Sequence, residues 1–156
     1  MRWLGALLLV GASASIGWLK TAGLRRKIAL LDEICQKVTR LRTELLQRNA
    51  PLPDLLEMLG QNAMAEGLRR GMTAREASYP LLQNLERELP QGASVLQRLA
   101  ELLGRYDSRT QADACAYALE QLQTQKEGLI RELAEKGNLY RTVPLAFGLM
   151  AALAVL

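Results

Sequence analysis

LRRKIALLDEICQKVTRLRTELLQRN, residues 24–49, decides the fold class. Leu24, Ile28, Leu31, Cys35, Val38, Leu41 and Leu45 recur three or four apart, which is one face of a helix. Arg25, Lys27, Glu33, Lys37, Arg40 and Arg48 fall largely off that stripe. The rest of the chain keeps the same period and nowhere alternates apolar with polar residues over five or six positions, so no strand is expected. Composition agrees. Hydrophobic residues are 49% of the chain but aromatics only 4%, so the apolar content is mostly Leu and Ala, both good helix formers.

Downstream, Pro51 and Pro53 end this helix and open the next, whose stripe is Leu52, Leu56, Leu59 and Ala63. Gly67 and Gly71 are expected to loosen the helix beyond that stripe. Thr73–Glu76 has the spacing of a capping box, and Pro80 is expected to break or kink the helix it opens. Ser94 is a candidate cap for the stripe Val95, Leu96, Leu99, Leu102 and Leu103. Gly104 to Asp107 reads as a stop and a start, with Ser108–Gln111 a second capping box. Ala112, Cys115, Leu119, Leu122, Leu129, Leu133 and Tyr140 then mark a long helix over 108–142, expected to lie antiparallel beside 24–49.

Both ends of this region are apolar. Trp3 to Leu19 carries no charge, and 17 residues of helix span about 25 Å, the short end of what crosses a bilayer core. Trp3 and Trp18 bracket the run, and Gly11/Ser15 and Ser13/Gly17 have the spacing of closely packed helices. Val143 to Leu156 is a second uncharged run of 14 residues. The expected architecture is therefore all-α: an N-terminal transmembrane helix (1–20), an antiparallel helical bundle (21–142) and a C-terminal hydrophobic membrane segment (143–156). A competing reading takes Ala12-Ser13-Ala14 as a cleavage site, making the chain an exported helical protein with the tail folded into its own core.

Charge sets the topology. Lys20, Arg25, Arg26 and Lys27 follow the first apolar run with no acid among them, and Arg131, Lys136 and Arg141 precede the second. Basic residues beside a span are held on the cytoplasmic side, so the bundle is expected in the cytoplasm. The net charge is only +4, with no basic stripe interleaved with aromatics, so no nucleic-acid partner is expected. The chain has no histidine, no Walker motif and only two well-separated cysteines, Cys35 and Cys115, read as small apolar residues. No catalytic, cofactor or metal residues are expected, and no enzymatic activity. Gly104, Asp107, Ser108 and Gln111 are read as structural, chiefly capping, residues.

The chain resembles the stage III sporulation protein AB family. The residues that carry this are Leu4-Gly5-Ala6 through Gly17, Pro51-Leu52-Pro53 after Arg48, Leu102-Leu103-Gly104 with Asp107 and Gln111, and Leu139-Tyr140-Arg141 followed by Gly148-Leu149. Pro144 stands where the family pattern has a glycine, and Ser78, beside Tyr79, where an aromatic is common. The resemblance implies a component of the channel between mother cell and forespore, in the mother-cell-derived outer forespore membrane. It also implies a bundle similar to the type II secretion system F platform protein. Implied partners are other channel subunits and a cytoplasmic secretion-type ATPase like stage III sporulation protein AA. A homo-oligomer is left open.

Overall fold

The computed structural model describes residues 2–48 and 50–155, with side chains described except at 2–10, 13, 14, 140, 141, 144, 151, 152, 154 and 155. Among the described residues there are helices and no strands. They are α1 (Arg2–Gln47), α2 (Leu52–Met58), α3 (Asn62–Arg69), α4 (Ala74–Glu88), α5 (Pro90–Leu102) and α6 (Ser108–Val155). The chain divides into two compact units.

The unit Leu30–Lys126 lies within the helical region expected at 21–142. Leu31, Cys35, Val38, Leu41 and Leu45 of α1 are buried, as are Ala112, Cys115, Ala118, Leu119 and Leu122 of α6. Lys126 Nζ meets Asp32 Oδ1 at 2.5 Å, while Arg42 lies close enough to Cys115 for its charge to act on the thiol. Residue numbers rise along α1 as they fall along α6, so the two helices run antiparallel here. The short helices pack on one another in chain order. Leu55 is fully buried, α2 packs on α3, α3 on α4, and α4 on α5.

Local chemistry sets the ends of the short helices. Gly60 (φ 77°) closes α2: its amide bonds Glu57 O, and the Gln61 amide bonds Leu56 O. Gly71 (φ 88°) closes α3 by the same pair of bonds, from Gly71 to Leu68 O and Met72 to Gly67 O. Gly71 therefore stops a helix cleanly instead of loosening one. Gly67 is a packing residue, since a Cβ there would meet the Ala77 Cβ at 3.1 Å. The Thr73–Glu76 capping box forms with both bonds present.

Pro80 does not break α4, which runs on to Glu88. One local expectation is corrected: Ser94 caps nothing, because Pro90 at the first turn starts α5 four residues earlier. The stretch from Gly67 to Gly92 is mostly α4, with the end of α3 before it and the start of α5 after it.

The unit Met1–Ala29 with Glu127–Leu156 inverts the usual distribution of side chains. Among its described residues the buried positions are Gly17, Thr21, Gly137 and Gly148. Ile16, Trp18, Leu19, Leu139, Val143, Leu145, Phe147, Leu149, Met150 and Leu153 are exposed. The small pair at the seam is Gly17 and Thr21, whose hydroxyl bonds Gly17 O at 3.0 Å; Gly11 and Ser15 face outward. Among the described residues no helix is long and apolar enough to cross a membrane. The readings placed on the side chains of Trp3, Gly5, Ser13, Tyr140, Arg141 and Pro144, and on Asn49, lie outside the described residues.

Candidate functional site

The turn from Leu102 to Gln111 holds four of the residues singled out in the sequence. Leu103 (φ −65°, ψ 132°) and Gly104 (φ 80°) occupy the two central positions of a type II turn, closed by Arg105 N to Leu102 O at 3.4 Å. The second central position needs a positive φ, which is why a glycine sits there. Asp107 stands immediately before α6. It accepts from Thr110 N at 3.3 Å and from Thr110 Oγ1 at 2.6 Å. These Thr110 bonds hold its carboxyl below the ordinary aspartate value.

Ser108 is already the first residue of α6, and the expected Ser108–Gln111 box does not form. Asp107 outcompetes it as the cap, and Gln111 is used differently. Its side chain is buried, accepts from Gly104 N at 3.2 Å and donates to Tyr106 O. Gln111 thus clamps the turn from inside.

The clamped turn forms one wall of a cleft of about 470 Å³. Gly104 and Arg105 face Met72 and Thr73 of the α3–α4 junction across it. Arg75 and Glu101 pair at 2.9 Å beside it. A second, wider groove of about 770 Å³ lies between α5 and α6, with Val95, Leu99, Leu102 and Tyr117 on its walls and Arg98 among its lining. The sequence reading missed both. Their walls come from residues as far apart as Leu68 and Arg105 or Pro90 and Gln125, and no local pattern links Met72 or Arg75 to Arg105.

The basic residues Lys20, Arg25, Arg26 and Lys27 belong to the other unit and are all exposed. The thiols are not poised for reaction. Burial pushes Cys115 up to about 11 and raises Cys35 as well. Among the described residues no group of three His, Cys, Asp or Glu side chains could hold a metal ion.

The fold defines an all-helical protein organised on two long helices, antiparallel in the unit Leu30–Lys126, with a clamped glycine turn between α5 and α6. The chain belongs to the stage III sporulation protein AB family, which it matches over residues 2–156. No curated protein and no solved structure matches it. Family membership gives the chain a role in sporulation and, with it, in the sporulation complex.

Proposed function

We propose that the chain is a non-enzymatic, membrane-anchored subunit of the channel between mother cell and forespore, with the unit Leu30–Lys126 in the mother-cell cytoplasm. In this reading it is a platform-type subunit that couples a secretion-type ATPase to the membrane assembly. The observation that carries the anchoring is the inverted unit. Among its described residues the buried ones are Gly17, Thr21, Gly137 and Gly148, while Trp18, Leu19, Phe147, Met150 and Leu153 face outward. Helices embedded in lipid pack through small residues and turn large apolar ones to the acyl chains. Water favours the reverse arrangement.

The cleft beside the clamped turn is the surface this reading assigns to the ATPase. Arg105, exposed at its edge, is its outward cation. Arg105→Glu should lower recovery of the ATPase with the purified complex while leaving the circular dichroism spectrum unchanged. Unchanged recovery would remove the cleft from the coupling surface.

Anchoring and sidedness are tested together. A single cysteine at Gln97, an exposed position, in a chain with Cys35 and Cys115 replaced by alanine, should stay in the alkali-washed membrane fraction. It should react with a membrane-impermeant maleimide only after lysis. Labelling in intact cells would place the unit outside and end the platform reading. Release by alkali together with an intact mass lacking residues 1–14 would establish the exported form instead.

A further inference from the structure

We propose that the membrane-anchored unit selects anionic phospholipids, through Arg25 and Lys27 acting at headgroup level above an apolar band that includes Ile16 and Trp18. The inference rests on the membrane-anchored reading and adds to it the chemistry of the lipid.

Helical geometry carries it. Seven residues separate Trp18 from Arg25, nearly two whole turns, so both lie on one face of α1, about 10 Å apart along the axis. Ile16 and Lys27 are eleven residues apart, three turns, and share another face about 16 Å apart. All four side chains are exposed to the outside of the unit, away from the Gly17–Thr21 seam. The helix therefore has apolar side chains at one level and cations at the next on two faces. An indole at the lower level fits the interfacial depth at which tryptophan is favoured. Arginine and lysine two or three turns higher reach the phosphates with their aliphatic stems along the helix.

Charge makes the ligand anionic. No acid occurs before Asp32, and Arg25 and Lys27 are both exposed, so α1 sets no carboxylate on the turns that lead up to them. The α6 part of the unit, from Glu127 onward, carries three acids and three bases and adds no net charge. Each basic residue near an anionic surface raises affinity about fivefold, and salt screens the effect within a Debye length. A zwitterionic headgroup offers no such gain. Topology alone would require the cations to lie on the cytoplasmic side; it would not require their arrangement over an apolar face to discriminate between lipids.

The full chain with Trp3→Phe, leaving Trp18 as the sole tryptophan, is reconstituted in vesicles mixing phosphatidylcholine and phosphatidylglycerol, with one or the other brominated. Quenching of Trp18 then reports which lipid sits beside it. The expected result is a preference for phosphatidylglycerol of about fivefold or more. It should fall toward parity in Arg25→Gln/Lys27→Gln and in high sodium chloride. Equal quenching by the two lipids would overturn the selectivity and leave the anchoring intact. Quenching by neither would remove Trp18 from the bilayer and overturn both. A preference that survives in the double variant would overturn the assignment to these residues. Loss of preference in phosphate, but not in chloride of equal ionic strength, would reassign the cations to a soluble anion and equally overturn the proposal.

Discussion

Gln111 reaches back seven residues to accept the Gly104 amide at 3.2 Å, while its own amide donates to Tyr106 O. One buried side chain thereby satisfies a backbone donor and a backbone acceptor of a turn that α5 and α6 share. Gln111→Leu keeps the bulk and removes both partners. Unmatched buried polar groups cost about 1–3 kcal/mol, so urea unfolding should show a loss of that order. Gly104→Ala should cost about 1–2 kcal/mol by forcing a side chain into a left-handed conformation. Because both act on one turn, the double variant should lose less than the two single losses together.

The cap of α6 separates two adjacent residues. Asp107→Ala removes the acceptor for Thr110 N and should lower the thermal midpoint by about 2–4 °C. Ser108→Ala should change it by less than about 1 °C, since the Ser108 hydroxyl caps nothing. Equal losses from the two substitutions would show that Ser108 shares the capping.

The Asp32–Lys126 pair gives unfolding a pH signature. The hydrogen bond from Lys126 holds Asp32 below its ordinary value of 3.8, and the same bond raises Lys126 above its ordinary 10.5. A depressed carboxyl stabilises the fold above its unfolded value and loses that contribution as pH falls through the folded one. A raised ammonium stabilises below its unfolded value and loses it as pH rises through the folded one. The difference in thermal midpoint between wild type and Asp32→Asn should therefore be constant through neutral pH. It should shrink below about pH 4 and again above about pH 10.5. Salt should reduce it, because both side chains are partly solvated.

The thiols should be silent in the folded chain. Cys115 is fully buried and Cys35 nearly so, and burial raises both above ordinary thiol values. A chromogenic disulfide reagent at pH 8 should register both thiols in denaturant and neither in native protein over minutes. Fast native reaction of one thiol would mean that its helix face opens.

The long apolar stripes were legible because burial on a helix repeats every three or four residues. Leu31 to Leu45 and Ala112 to Leu122 are buried as their period requires. The Thr73 cap was legible because both its partners lie within four residues. Ser108 has the same spacing, yet an aspartate one position earlier takes the role, and competition between neighbouring caps is not visible in either motif alone. The continuity of α1 past Lys20 was also hidden. Hydropathy changes there, but Lys20-Thr21-Ala22-Gly23 contains no proline, and Gly23 keeps helical backbone instead of the left-handed one that ends α2 and α3. The clefts were illegible for a different reason, since their walls meet only after the helices pack.

The partnership of Asp32 with Lys126 also has a history in time. The short helices pack on their neighbours in sequence, but this contact closes a loop of 94 residues. Local pairings form first and distant ones last. On the ribosome, the stripe from Leu31 to Leu45 emerges early, while its complement from Ala112 to Leu122 arrives some eighty residues afterwards. At ordinary elongation rates that delay is roughly 4–16 s. Throughout it the nascent chain carries a leucine face that α6 does not yet cover.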